Sequence, residues 1–327
     1  MFTELTAEQR RQFVDATQIF EAWREADRSF RHSYRASMRW KRVAGRDYLY
    51  RVSGKVAHSL GPRTPETEAI QSRYTAQRDA LRRRKAGLEG KLTGMAPLNR
   101  AHNLGRLPET AARILRQFDK EGLLGKHLFV VGTHSLFAYE AAAGVRFESG
   151  LLTSEDIDLL WDARRRLSLA LVDVRKEGVL GLLRRVDHSF AAQPNNYRAV
   201  NDEGFFVDLI RPPEIHEEQT SSPKLSDAEE DLDAAAIRGL SWLIHAPKYA
   251  QVVMGTDGKP VWVSCIDPRA FALHKLWLAD QPDRSPIKKR RDLEQARAVT
   301  AIAQSYLGLS FKSKELSALP RDLLQRL

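Results

Sequence analysis

Cysteine is almost absent from this sequence: among its 327 residues only Cys265 occurs. An intrachain disulfide framework and a zinc site made of several cysteines are therefore excluded. No apolar run approaches ~20 residues and the first residues are polar, so we expect no signal peptide, no membrane span and a cytoplasmic location. The Gly-x-x-x-x-Gly-Lys-Ser/Thr phosphate loop and the Gly-x-Ser-x-Gly elbow are missing too, and the histidines lack metal-ligand spacing.

Positive charge is unevenly distributed along the chain, which has a formal net charge of +10. Residues 1–125 contain 25 lysines and arginines against 14 acids, whereas the rest contains 27 against 28. The length suits two domains, and 43% hydrophobic residues are enough for a sizeable core. We predict a basic, mainly helical extension over 1–125, a catalytic core over 126–245, and a hairpin plus helical region over 246–327.

Two aspartates separated by one residue mark the most informative segment. Asp156 and Asp158 lie in the run 154–160, which is typical of a strand. Side chains alternate between faces along a strand, so both carboxylates point to one side, about 7 Å apart. Such a pair suits a divalent cation that also binds substrate phosphates. The alternative is a solvated strand edge or a turn.

A strand, a glycine and a helix precede this pair. The apolar run 128–131 enters the turn 132–135, and the helix formers that follow end at Gly144. A strand, a small-residue turn and a helix N-terminus together favour an anion cradle made of backbone N–H groups. His134 has no assigned duty in this cradle, because a histidine at a helix start is typically solvated or caps the helix.

A third carboxylate, Asp208, is the only charge in the apolar run 204–210. An aspartate inside a buried strand is costly unless it is paired or metal-bound. Residues 201–204 are typical of a hairpin turn, with 196–200 as the partner strand. The alternative places Asp208 at the exposed end of its strand.

The C-terminal region contains a helix with strong start signals. Asp267 is a good N-cap and Pro268 a good first helical residue. Lys275 of this helix has mostly apolar neighbours, so its ammonium needs a phosphate or carboxylate partner unless it reaches solvent. Cys265 is expected inside the preceding strand, 261–266.

These features resemble the polymerase-β-like nucleotidyltransferase superfamily, whose members share a glycine-serine loop, two aspartates on one strand and a third carboxylate on a later strand. The resemblance covers about residues 126–300. It has one departure, because the loop has Thr133 after Gly132 where serine or glycine is usual. The threonine keeps a hydroxyl, so contact with phosphate fits the loop.

Two narrower resemblances extend this one. The chain is similar to a bacterial nucleotidyltransferase-fold family with a basic helical N-terminal extension, through residues 38–41, 59–63, 131–133 and 274–276. Its lysine helix and the later segment 288–292 are similar to toxin-type nucleotidyltransferases of the abortive-infection kind.

The resemblance implies a mixed α+β fold, Mg²⁺ or Mn²⁺ as cofactor and an NTP as substrate. It implies an in-line displacement at the α-phosphate between two metal ions, with pyrophosphate leaving. Asp156 and Asp158 would bridge the metals, and Asp208 would hold the ion nearer the acceptor and help to remove its proton. The residues implied in nucleotide binding are Gly132, Thr133, Ser135, Thr153, Lys275, Lys288 and Arg291.

The basic extension has arginines at intervals of three or four residues, interleaved with aromatics. If one helix persists through them, they form a stripe suited to the nucleic-acid backbone. The alternative is a solvated helix face on which they pair with acids such as Asp27. The arginines assigned to nucleic acid are Arg28, Arg31, Arg35, Arg39 and Arg42.

Local signals also divide the extension into elements. A β-hairpin is predicted near 37–52, because strand-like runs flank a short polar turn. Residues 59–68 are predicted to form a loop that leads into a helix, with Thr64 as N-cap and Pro65 in its first turn.

We therefore predict a nucleotidyltransferase that moves a nucleoside monophosphate to an acceptor hydroxyl, and the basic extension favours an RNA such as tRNA. A protein or small-molecule acceptor is an alternative, as is a non-catalytic module that binds nucleotide or nucleic acid. A toxin-like activity restrained by an antitoxin or partner protein fits the toxin-type resemblance. The acidic stretch 214–233 is expected to be a mobile loop near the site.

Overall fold

The computed structural model describes residues 2–164, 172–213 and 225–325. The predicted acidic loop falls outside these residues over 214–224. The described residues form the mixed α+β fold that the sequence predicts. None of their helices is both long and apolar enough to cross a bilayer.

The chain divides into two compact units. The smaller consists of residues 11–102 together with 258–260, and the larger contains the remaining described residues. The smaller unit thus ends before residue 125, where the sequence places the end of the extension. All the excess positive charge belongs to it, because residues 11–102 contain 20 lysines and arginines against 9 acids.

The elements are numbered in chain order. The strands are β1 (Phe2–Glu4), β2 (Ser37–Val43), β3 (Arg46–Ser53), β4 (Val56–Pro62), β5 (Leu128–Val131), β6 (Val145–Phe147), β7 (Asp156–Trp161), β8 (Ala191–Ala192), β9 (Arg198–Val200), β10 (Phe206–Arg211), β11 (Ala235–Ala236), β12 (Lys248–Met254) and β13 (Pro260–Ile266). The α-helices are α1 (Ala7–Ser33), α2 (Pro65–Ala101), α3 (Glu109–Lys120), α4 (Leu136–Ala143), α5 (Ser149–Leu152), α6 (Val172–Val186), α7 (Leu240–Leu243), α8 (Pro268–Ala279), α9 (Pro286–Ser305) and α10 (Arg321–Leu324).

The smaller unit combines two long helices with a three-stranded sheet of order β2-β3-β4. Strands β2 and β3 are those of the predicted hairpin. The predicted N-cap Thr64 is confirmed, since its side chain accepts from Thr67 N and Pro65 begins α2. The prediction of a loop over 59–68 is wrong for its first part, which belongs to β4. This strand lies at the edge of its sheet, where proline is tolerated, and its pairing with β3 shifts register between Leu49 and Tyr50.

An eight-stranded sheet forms the centre of the larger unit, in the order β12-β13-β5-β7-β10-β9-β8, with β11 paired to β10. Strand β7 runs antiparallel to β5 and parallel to β10. The predicted hairpin around residues 201–204 is confirmed by the antiparallel pairing of β9 with β10. Neighbouring strands therefore bring segments that are far apart in sequence into register.

The central strands are buried on both faces. Leu128 and Val130 of β5 belong to one apolar cluster, whereas Phe129 and Val131 belong to a second cluster. The same alternation holds in β7 and β10, where Leu160 and Ile210 contribute to the second cluster. Residues two apart share a face, so the three predicted acids lie on the sheet face of the second cluster.

Two helix boundaries follow the predicted signals. Gly144 ends α4 in the left-handed conformation, with φ 66°. Asp267 caps α8, because its carboxylate accepts from Arg269 N at 2.8 Å, and Pro268 is the first residue. Cys265 is buried in β13, as predicted.

Candidate active site

Strand register brings the three predicted acids together. Asp158 of β7 is paired with Asp208 of the parallel strand β10 and with Val131 of β5. Asp156 precedes Asp158 by two residues and therefore lies on the same face. The pairing of β7 with β10 joins residues 50 positions apart, so the cluster depends on the sheet topology.

The acids are close enough to share a cation. One carboxylate oxygen from each of Asp156, Asp158 and Asp208 lies within 4.8 Å of the others. Asp208 is buried, and the other two side chains are partly exposed. Carboxylate oxygens at this spacing are suitable ligands for Mg²⁺ or another hard divalent cation.

The electrostatics of the cluster also favour a bound cation. Burial, together with the neighbouring charges of Asp156 and Asp208, raises the pKa of Asp158 to about 7. Lys275 and Arg198 oppose this rise only in part. A divalent cation would stabilise the ionised carboxylates, whose negative charges otherwise repel one another. The residues present therefore fit the metal that the sequence implies.

Arg198 is a close partner of the third acid. It lies opposite Asp208 on β9 and donates from Nε and Nη2 to the two carboxylate oxygens, each at 2.6 Å. Its guanidinium also lies 5.0 Å from the ring centroid of Phe206. The pairing with Asp208 raises the pKa of Arg198 above its ordinary value. Sequence reasoning missed this arginine, although its place on the partner strand of the hairpin was a usable signal.

A serine completes the immediate surroundings of the acids. The Ser154 hydroxyl donates to Asp156 Oδ1 from just before β7. This bond orients the first carboxylate of the pair. Sequence reasoning passed over Ser154, since a hydroxyl two residues from an acid is common in loops.

Gly132 packs directly against the acid pair. Its φ of 67° is in the left-handed region, and a Cβ at this position would fall well inside van der Waals distance of Asp158 Oδ2. Only glycine combines this conformation with such an approach. The predicted loop therefore lies beside the acids, at the start of α4.

The two hydroxyls of the loop are directed into the protein. Ser135 is fully buried and donates to Val130 O at 3.1 Å. Thr133 is also buried, and its hydroxyl accepts from Gln295 Nε2 at 3.4 Å. These bonds hold the turn against β5 and α9. The predicted contact of the Thr133 or the Ser135 hydroxyl with phosphate stays a prediction.

His134 is buried between Phe137 and Phe205, with ring centroids 5.8 and 6.1 Å away. The imidazole also interacts with the backbone of Asp156. Burial lowers its pKa to about 4, against the opposing effect of Asp156. The histidine is therefore a neutral, packed side chain, unlike the solvated residue typical of a helix start.

Lys275 pairs with a buried carboxylate, as expected for an ammonium that has mostly apolar neighbours. Its Nζ lies 2.9 Å from Asp292 Oδ1, and Arg284 binds the other oxygen of Asp292 at 2.7 Å. Asp292 is fully buried between the two cations. Burial lowers the pKa of Lys275, while Asp292 and, more weakly, Asp158 raise it. Lys275 thus belongs to the electrostatic surroundings of the acid cluster.

The other predicted phosphate-binding residues lie at the start of α9 and before β7. Arg291 donates to Thr153 O at 3.3 Å, which links these segments. Thr153 is exposed and its hydroxyl donates to Ser149 O at 3.0 Å. Lys288 is exposed one turn earlier on α9. The structure therefore brings Thr153 and Arg291 together and leaves Lys288 at the surface.

The arginines assigned to nucleic acid do not form a single helical stripe. Helix α1 ends at Ser33, so Arg39 and Arg42 lie on β2 instead. The expected stripe is wrong because residues 37–43 find strand partners in β3. Asp27 is buried and pairs with Arg31 and with Lys85 of α2, as the alternative interpretation expects for part of this surface.

Comparison with protein families identifies the larger group to which the chain belongs. A family model described as Nucleotidyltransferase matches residues 109–320. The match spans more than half of the 327 residues, and the chain is a member of this nucleotidyltransferase family. No curated protein and no solved structure matches the chain significantly. The polymerase-β-like and toxin-type resemblances stay predictions.

Proposed function

We propose that this protein transfers a nucleoside monophosphate from an NTP to an acceptor hydroxyl, with a pair of divalent cations, Mg²⁺ or Mn²⁺. The observation that carries the proposal is the convergence of Asp156, Asp158 and Asp208 within 4.8 Å of one another. It occurs beside Gly132, in a chain that belongs to a nucleotidyltransferase family.

The three acids would hold the cations. Ions bound there would neutralise the α-phosphate and stabilise the attacking and leaving oxygens of the displacement. Asp156 and Asp158, whose side chains are partly exposed, would both hold the cations. Asp208, which is buried and bound by Arg198, would hold the ion nearer the acceptor hydroxyl and help to remove its proton.

Other residues would bind and neutralise the triphosphate. The backbone N–H groups of the turn 132–135, at the start of α4, suit its anionic oxygens. Lys275 and Arg291 would supply positive charge to neutralise the phosphates; Lys275 is bound by Asp292, and Arg291 donates to the Thr153 carbonyl. Lys288, which is exposed, would reach the terminal phosphates from outside.

RNA is the proposed acceptor. Residues 11–102 carry 20 basic and 9 acidic side chains, so this unit attracts a polyanion rather than a cationic small molecule such as an aminoglycoside. A protein acceptor, or a module that binds nucleotide without chemistry, are the competing functions. The presence of all three acids in one cluster favours catalysis over the latter.

The test is incubation of the purified protein with each α-³²P-labelled NTP, Mg²⁺ and total bacterial RNA. An Asp156→Ala/Asp158→Ala variant is the control. We expect label on an RNA band with the wild type alone. Label on the protein itself would establish protein modification, and nucleotide binding without label in any fraction would favour the non-catalytic module.

A further inference from the structure

The three-stranded sheet of the smaller unit has two unlike faces. Arg39 pairs with Tyr50 and Lys41 pairs with Tyr48 across β2 and β3, so these four side chains share one face, called here the tyrosine face. The opposite face is packed around Leu49 and Trp40. There Leu49 is fully buried, and Trp40 Nε1 donates to Gln71 Oε1 of α2 at 2.8 Å.

The tyrosine face presents aromatic rings between cations. Tyr48 and Tyr50 are partly exposed on the central strand, whereas Arg39 and Lys41 are exposed beside them. Lys41 Nζ lies 5.8 Å from the ring centroid of Tyr50. Arg46, also exposed, lies on the same face because it pairs with Val43, two residues after Lys41. The rings are about 7 Å apart along the strand, which leaves each ring room for its own planar ligand.

The charge of this face is of one sign. Residues 37–62 contain six lysines and arginines and one acid, Asp47. Asp47 lies on the opposite face, where it is 3.9 Å from Arg42 and 3.7 Å from Arg63. Within the described residues, the three cations of the tyrosine face have no acidic partner. The face is thus complementary to an anionic ligand.

We propose that the tyrosine face binds single-stranded RNA, with bases stacked on Tyr48 and Tyr50 and phosphates bound by Arg39, Lys41 and Arg46. Aromatic side chains between cations on an open sheet are suited to single-stranded RNA, because every nucleotide offers a flat base to a ring and a phosphate to a cation. A lipid surface would need large apolar side chains, and this face has few. The inference rests on the proposed function, since it gives the RNA acceptor a docking surface.

The tyrosines are tested by fluorescence anisotropy of the full-length protein with a fluorescein-labelled 12-nucleotide single-stranded RNA. EDTA is present and NTP is omitted, so that binding is measured apart from catalysis. Tyr48→Leu/Tyr50→Leu removes stacking and keeps apolar bulk, and we expect RNA binding to weaken about tenfold or more. Tyr48→Phe/Tyr50→Phe keeps the rings and is expected to bind within about twofold of the wild type.

The cations are tested by the salt dependence of the same binding. Arg39→Gln/Lys41→Gln is expected to lower the slope of log K against log salt by about 1.4, since each phosphate contact on a single strand contributes about 0.7. Arg51→Gln is the matched control, because Arg51 is exposed on the opposite face of the same sheet. We expect its salt slope to equal that of the wild type.

Several results would overturn the inference. These are wild-type affinity in the leucine variant, equal losses in the leucine and phenylalanine variants, and tighter binding of a duplex of the same length. Failure of the proposed function would give different results. If nucleotide is transferred to another acceptor while single-stranded RNA does not bind, the surface is wrong and the reaction stands. If RNA binds as expected but no NTP is consumed with it, the reaction is wrong and the surface stands.

Discussion

Arg198 forms a bidentate ion pair with Asp208, through two hydrogen bonds of 2.6 Å between directly opposed residues of β9 and β10. The third acid of the candidate metal site therefore already has a counter-ion from the protein. A divalent cation that binds Asp208 has to compete with this guanidinium. The affinity for a cation at this site would accordingly depend on Arg198 as well as on the acids.

Arg198→Gln is expected to bind divalent cations about tenfold more tightly, because the cation no longer displaces a charged partner. The metal-free variant should be less stable by about 2–3 kcal/mol, since a mostly buried carboxylate loses its counter-ion. Mn²⁺ titration followed by electron paramagnetic resonance and thermal unfolding in EDTA measure the two effects.

Arg116→Gln is the matched control for this variant. It removes another bidentate pair, which Arg116 makes with Asp257 at 2.8 and 2.9 Å, and leaves the acid cluster intact. Its Mn²⁺ affinity should equal that of the wild type. Equal or weaker Mn²⁺ binding by Arg198→Gln would show that the guanidinium does not compete with the metal.

Asp158 makes the stability of the metal-free protein depend on pH. Its pKa in the folded protein, about 7, is above the ordinary 3.8, so the folded state holds the proton more tightly than the unfolded state. Stability should fall as the pH rises from about 4 to about 7, by roughly 2 kcal/mol. The full pKa shift would correspond to about 4 kcal/mol, and we expect less because the Asp158 side chain is partly exposed to solvent.

Chemical unfolding in EDTA across this pH range is the measurement. Asp158→Asn has no proton to release, so its stability should change less between pH 4 and 7 than that of the wild type. Saturating Mg²⁺ should also flatten the wild-type curve, because the ion replaces the proton. A wild-type curve parallel to that of Asp158→Asn would contradict the raised pKa.

Gly132→Ala should reduce stability and weaken Mn²⁺ binding, because the new Cβ meets Asp158 Oδ2 and φ is positive. We expect a loss of about 2–3 kcal/mol, of which about 1 kcal/mol is backbone strain. Gly204→Ala separates the two causes, since its φ is 78° and nothing lies within 4 Å of its Cβ position. Equal losses in both variants, with Mn²⁺ binding unchanged, would mean that the contact with Asp158 is unimportant.

Asp292→Asn should be strongly destabilising. The fully buried carboxylate binds Lys275 and Arg284 at once, and the variant leaves both cations without their counter-ion. A loss of about 3–5 kcal/mol is expected in urea unfolding. Glu294→Gln removes an exposed pair with Arg290 on the same helix and should cost about 0.5 kcal/mol or less. A small loss at Asp292 would show that Lys275 finds another partner.

Elements with local signals could be predicted from the sequence. The β5 strand, the turn at Gly132 and the cap at Asp267 depend on residues within a few positions of one another. The pairing of β9 with β10 follows from a polar turn between apolar runs. By contrast, β4 contains Gly61 and Pro62, which weaken strands, and its formation depends on pairing with β3.

Side-chain contacts between residues that are far apart in sequence could not be predicted in the same way. Aspartates at 156, 158 and 208 are recognisable as acids in apolar strands, but Arg198 meets Asp208 only through strand register. Asp292 and Lys275, which are 17 residues apart in sequence, meet because α8 and α9 pack together. The direction of the Thr133 and Ser135 hydroxyls likewise depends on the packing of α9 and β5 around the turn.

The central claim, nucleotidyl transfer at the three acids, is tested most directly by comparing α-³²P- and γ-³²P-labelled NTP in parallel reactions with Mg²⁺ and RNA. Transfer of the α label but not the γ label, with loss of transfer in Asp156→Ala/Asp158→Ala, is the predicted result. Transfer of the γ label, or α-label transfer that the double variant retains, would contradict the claim.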